Sequence, residues 1–255
     1  MKTEILSRLS AIEAEHSVRI LYAVESGSRA WGFESTDSDW DVRFIYVHEL
    51  PWYLSVQPGR DVIEYPVVDL LDFSGWDLRK TLQLMSKSNP MLFEWLRSPI
   101  VYRKLEKEFN VIEEASRDWF SPIKAVYHYL HMARGNFREY LQGDQVKIKK
   151  YFYVLRPLLA CRWIEAHGES PPLPFEDLLD DAKLTPMLEM AIRDLLLRKR
   201  SGFEFGFEPA VPVIGEFIEG EIRHFEEAAG TMSDGGRPDG TALDEALRHI
   251  VLGRK

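Results

Sequence analysis

Apolar positions along this chain change their rhythm partway through. In the first part they alternate or run together in short stretches, and from about residue 120 they recur at helical spacing. Ile5, Leu6, Leu9 and Ile12 share one stripe of a predicted helix over Thr3 to Glu15, with Thr3 available as its N-cap. Ile20 to Val24 reads as a strand, Ser26, Gly27 and Ser28 as a turn of small residues, and a second strand opens on Asp39 and Asp41 before Val42, Phe44, Ile45 and Tyr46. The stretch DVIEYPVVDLLDF, residues 61–73, favours extended structure, divided or pushed to an edge by Pro66. From Trp76 the spacing turns helical through Leu78, Leu82 and Met85, and Pro90 starts a further short helix that Pro99 stops.

The second part reads as helices throughout. Ile123, Val126, Leu130, Phe137 and Leu141 mark one that closes at Gly143, and VKIKKYFYVLRPLLACRWIEAHG, residues 146–168, marks another that Pro157 kinks or divides. Asp177 to Arg200 and Val213 to Ala229 supply more, separated by an irregular aromatic segment over Phe203 to Pro212. Gly230 to Gly240 has the composition of a flexible linker, and Thr241 with Asp244 resembles a capping box opening a last helix with Leu243, Leu247 and Val251. The expected class is α/β (α+β): an N-terminal domain over residues 1–117 with a small mixed sheet, and an all-helical domain over 118–255.

Composition narrows the function classes. At 255 residues and 45% hydrophobic content the chain supports a sizeable core. A formal charge of −9 argues against coating nucleic acid by charge alone, so such contact would be local. One cysteine, Cys161 in an apolar run, excludes an internal disulfide and a cysteine-based zinc cluster. No run approaches the roughly 18 apolar residues of a membrane span, and the N-terminus lacks a signal-peptide core, so a cytoplasmic protein without a membrane partner is expected. His128 and His131, at i and i+3, have no third ligand at clear spacing and read as a packed or solvated pair.

Chemistry concentrates between Ile20 and Val47. Side chains alternate along a strand, which puts Asp39 and Asp41 on one face with Cα atoms roughly 7 Å apart and Trp40 on the other. Adjacent carboxylates repel, and a hard divalent metal that keeps waters and takes phosphate ligands is a ready counter-charge. The Gly27-Ser28 turn, separated from Asp39 by ten residues, suits a phosphate, because glycine lets the backbone approach and serine adds a hydroxyl. Together these read as a nucleotide site.

A Gly-Ser turn followed at this distance by a hydrophobic-flanked Asp-x-Asp resembles the signature of the DNA polymerase beta-like nucleotidyltransferase superfamily. The strings GWDLRKTLQL, residues 75–84, and KSNPMLFEWLRSPIVY, residues 87–102, are similar to its RNA repair pathway DNA polymerase beta family, RlaP. The likeness covers most of residues 20–180. It implies a metal-dependent enzyme in which Asp39 and Asp41 bind two Mg²⁺ ions, with Mn²⁺ as a substitute, and a carboxylate on a later strand completes the site. Asp72, which lies 31 positions after Asp41, leads for that role, with Asp69 and Glu64 as rivals because one residue of register reverses a strand face. Gly27, Ser28, Arg29 and Lys80 are the expected contacts to a nucleoside triphosphate.

Lys147, Lys149, Lys150 and Arg156 interleave with Tyr151, Phe152 and Tyr153, a pattern that suits a polyanionic acceptor and equally an amphipathic helix. The family label makes an RNA end the candidate acceptor. A small-molecule or protein acceptor, and a non-catalytic nucleotide-binding module, are the competing classes; the oligomeric state is left open.

Overall fold

The computed structural model describes residues 1–57, 59–201, 207–230 and 238–253. The chain forms two compact units, the first comprising Met1–Ala30, Asp39–Phe120 and Gly236–Lys255, the second Trp31–Ser38 and Ser121–Gly235. Helices and a mixed sheet together give the α/β class expected from the patterning.

The first unit opens with α1 (Lys2–His16), which starts ahead of Thr3 and makes no side-chain cap. β1 (Val18–Glu25) is buried at every position but Arg19, as befits a strand covered on both faces. It ends at the four-residue turn of helix α2 (Gly27–Ala30). Then follow β2 (Trp40–His48), α3 (Leu50–Tyr53), β3 (Val62–Glu64), β4 (Leu71–Asp77), α4 (Leu78–Ser86), α5 (Pro90–Leu96), β5 (Val101–Lys104) and α6 (Glu106–Ser116). Asp77 and Asn89 accept from the backbone N–H groups of Arg79 and Leu92, so α4 and α5 begin where polar caps and Pro90 allow.

The five strands lie in the order β3-β4-β2-β1-β5, with β2 and β4 parallel and every other pair antiparallel. Pro66 lies outside both β3 and β4, and the reversal between them runs through Asp69 and Leu70 at φ of 50° and 64°. One face of the sheet packs Val42, Phe44, Ile63 and Phe73 with Ile5, Leu9 and Ile12 of α1. The other packs Val24, Ile45 and Val47 under α4, α5 and α6. β2 and β4 approach so closely that a Cβ at Gly75 would lie 2.2 Å from the Phe44 ring.

The second unit comprises α7 (Pro122–Tyr140), β6 (Gln145–Lys147), α8 (Ile148–His167), α9 (Phe175–Asp181), α10 (Pro186–Arg200), β7 (Phe207–Pro209) and α11 (Pro212–Ala229). β6 and β7 form a two-stranded antiparallel ribbon that helical periodicity does not announce. α8 runs unbroken through Pro157, whose ring is buried with the rest of the helix core, so the predicted division does not occur. The segment over 31–38 belongs to this unit because Phe33 buries itself beside Phe152 and Phe175, with ring centroids 5.1 and 5.8 Å away.

α12 (Thr241–Val251) groups with the first unit, whose central segment ends at Phe120, and not with the helical stretch expected to run over 118–255. Its apolar stripe, Leu243, Ala246 and Ile250, is buried in the core of the first unit with residues of α4 and α6. Thr241 bonds its hydroxyl to Asp239 at 2.8 Å and does not cap the helix. Residues 231–237 of the linker expected over Gly230 to Gly240, and residues 203–206 of the irregular segment from Phe203, lie outside the described residues.

Candidate active site

The parallel pairing of β2 with β4 sets the site. Its register places Asp41 opposite Asp72, Arg43 opposite Ser74 and Ile45 opposite Trp76. Neighbouring strands lie about 4.8 Å apart, so the two aspartates face the same way as next neighbours. Of the rivals, Glu64 pairs with Ser74 in β3, a strand further from Asp41, and Asp69 lies exposed in the left-handed turn before β4.

Arg43 holds the pair together. Its Nη2 donates to Asp41 Oδ1 at 2.8 Å and to Asp72 Oδ2 at 2.7 Å, while Nη1 donates to the Asp72 carbonyl at 3.1 Å. Burial, with the charges of Asp72 and Asp39 nearby, holds the Asp41 carboxyl above the usual carboxylate range against the pull of Arg43. Asp39 precedes the strand and is exposed, so it joins the group through its charge and not as a strand residue.

Gly27 completes this wall. Its φ is +59°, and a Cβ there would lie 2.0 Å from Asp41 Oδ2, so the turn abuts the carboxylate in a way that only glycine permits. Ser26 N–H donates to the Asp41 carbonyl at 2.8 Å and ties turn to strand. Ser28 follows in α2, partly exposed. Arg29 Nε donates to the Asp39 carbonyl at 3.1 Å, with its guanidinium 3.8 Å above the Trp40 ring.

Two participants were not anticipated. Arg43 is legible in hindsight, since it lies two residues beyond Asp41 and therefore on the same face. Glu25, fully buried at the end of β1, accepts from Asp41 N–H at 2.8 Å and from the Tyr102 hydroxyl. Burial pushes its carboxyl up to about 7, against the opposing effect of those two hydrogen bonds. Nothing local distinguishes such a glutamate from one at an exposed strand end.

Other expected residues are held elsewhere. Lys80 lies on α4, beyond the far end of β4, and bonds Asp61 at 3.2 Å. Asp72 and Asp77 are five strand steps apart, roughly 16 Å, which separates Lys80 from the carboxylates. In the second unit Arg156 is buried, its guanidinium 4.5 Å from the Trp31 ring centroid. Lys150 is packed at 3.4 Å on the Tyr140 ring, its pKa lowered by desolvation and by Lys149, and Lys147 lies 5.2 Å from the Phe207 ring centroid. Lys149 is partly exposed.

Asp41 and Asp72, both partly exposed and with the charge of Asp39 nearby, are hard oxygen donors whose demand for positive charge suits a divalent cation in kind. As arranged, that demand is met by Arg43, and among the described residues no group of three or more His, Cys, Asp or Glu side chains stands ready to hold a metal ion. No helix among the described residues is long and apolar enough to cross a membrane.

Comparison with known proteins adds a family. The model described as "RlaP: RNA repair pathway DNA polymerase beta family" matches residues 1–249. A protein of Bacillus subtilis (strain 168), "Uncharacterized protein YcgL", is 54% identical over 251 residues, 98% of this chain and 96% of that protein. The crystal structure of a nucleotidyltransferase-like protein from Exiguobacterium sibiricum 255-15 aligns with 98% of this chain and 81% of its own. Its identity is 13% and its TM-score 0.32, too low to carry an inference.

Proposed function

The chain belongs to the RNA repair pathway DNA polymerase beta family, and from that premise we propose that it transfers a nucleoside monophosphate from a nucleoside triphosphate to a hydroxyl acceptor, with an RNA end as the candidate. The observation that carries this reading is the β2–β4 register, with Asp41 and Asp72 side by side and the Gly27 turn against Asp41. In the reaction the acceptor oxygen bonds to the α-phosphorus, the bond to the bridging oxygen breaks, and pyrophosphate leaves with the electron pair. Gly27 and Ser28 receive the triphosphate. Asp72 orients the acceptor hydroxyl and takes its proton. Glu25 holds the Asp41 backbone in place through the Asp41 N–H. A divalent cation held by Asp39, Asp41 and Asp72 would neutralise the triphosphate and acidify the acceptor hydroxyl, with Arg43 giving up its hold on the carboxylates.

Arg43 also favours a second reading, a nucleotide-binding module without catalysis, because its guanidinium already satisfies both carboxylates. One experiment separates the two. Purified protein is incubated with each α-labelled nucleoside triphosphate, Mg²⁺ and fractions of a cell extract that include RNA. Enzyme activity appears as metal-dependent label on an acceptor with release of pyrophosphate, both lost in Asp41→Asn. Triphosphate binding without pyrophosphate release, for all four nucleotides and every fraction, would leave the binding module.

A further inference from the structure

A cavity of about 670 Å³ opens beside Asp72 within the first unit, a size typical of small-ligand sites. Asp72, Ser74 and Trp76 line it from a single face of β4, Arg43 stands beside them on β2, and Met91 and Trp95 of α5 complete the lining next to Trp76. Arg60 and Glu64 stand at its edge, joined by an exposed ion pair at 2.6 Å.

The lining combines aromatic and charged side chains. Trp76 stacks on Trp95 with ring centroids 3.7 Å apart and planes 20° from parallel. Trp95 is buried, and its indole N–H has no acceptor among the described residues, a donor unspent beside the cavity. Trp76 is only partly buried and so keeps surface for another planar group. The ionic groups in the lining balance, Arg43 and Arg60 against Glu64 and Asp72, which is not the excess of carboxylates that a polycationic acceptor would require.

We propose that this cavity is the acceptor subsite and that it takes the terminal nucleotide of a nucleic-acid strand, with the base packed on Trp76 and Met91, the backbone phosphate met by Arg60, and the sugar hydroxyl delivered at Asp72. This rests on the nucleotidyltransferase reading for the meaning of Asp72, whereas base recognition stands on the cavity itself. It also moves the acceptor from the basic helix of the second unit to the first, where the reacting carboxylates are. The hydroxyl gives up its proton at Asp72 as its oxygen joins the α-phosphorus and pyrophosphate departs.

The test compares binding of two fluorescent oligoribonucleotides of equal length, one intact and one abasic at the 3′-terminal residue, by anisotropy with the full-length protein. Transfer from an α-labelled triphosphate is measured in parallel. Loss of one stacked base should weaken binding about 5- to 150-fold, and Trp76→Leu should bring the intact strand to the abasic level while leaving the abasic strand unchanged. Arg60→Glu, at an exposed position that does not endanger folding, should weaken both strands several-fold and flatten the salt dependence. Base-dependent binding without transfer would uphold the subsite and defeat the proposed reaction. Transfer with equal affinity for the two strands would uphold the reaction and overturn the subsite. Failure of both strands to bind would also overturn it.

Discussion

Two charged clusters stand out in this chain, one acidic around Asp39, Asp41 and Asp72 in the first unit, one basic around Lys147, Lys149, Lys150 and Arg156 in the second. The tertiary structure treats them in opposite ways. Strand pairing draws Asp41 and Asp72 from residues 31 apart into direct opposition and leaves them partly exposed around Arg43. Helix packing scatters the basic group, burying Arg156 on Trp31 and covering Lys150 with Tyr140. A sheet brings like charges together only by register, and here the guanidinium of Arg43 offsets their repulsion. A helix with lysines and aromatics is satisfied by its own packing.

The contrast is broken most directly at the carboxylates. Asp41→Asn and Asp72→Asn should each lower transfer by at least two orders of magnitude with the fold retained, read by label transfer alongside circular dichroism. If either keeps near wild-type activity, the paired carboxylates are not the reacting group. Gly27→Ala comes next. The methyl group must displace the Asp41 carboxylate and occupy φ of +59°, so a stability loss of about 1–2 kcal/mol and at least a tenfold loss of activity are expected from thermal melts and kinetics. An alanine variant with wild-type melting and rate would show that the turn need not touch Asp41.

Arg43→Gln sharpens the comparison by removing the cation that keeps the acidic cluster together. The metal-free variant should be less stable by about 1–2 kcal/mol, and Mg²⁺ should raise its melting temperature more than it raises that of the wild type. An identical magnesium response in both would mean that Arg43 and metal do not compete for Asp41 and Asp72. The smallest effect belongs to the basic group. Charge reversal at Lys147 and Lys149 together should leave stability and turnover within about a factor of two. A clear loss of acceptor affinity in that double variant, with a shallower salt dependence, would return the acceptor to the second unit.

Much of this molecule is determined by local sequence alone. A continuous apolar run marks β1, alternation marks the start of β2, helical spacing marks α4, α7 and α8, and the Gly27-Ser28 turn before Asp39 and Asp41 is visible because glycine and paired aspartates are needed for local stereochemical and electrostatic reasons. A period of two even places Arg43 with Asp41. Which carboxylate stands opposite Asp41 is a different kind of question, since Glu64, Asp69 and Asp72 all lie within one short stretch and only the β2–β4 register separates them. The distance of Lys80, the burial of Arg156, the role of Glu25 and the return of α12 to the first unit were likewise decided in three dimensions. A backbone period tells which way a side chain points along its own element. Which element lies across from it depends on how apolar faces far apart in the chain bury one another, and that information is spread over the whole core.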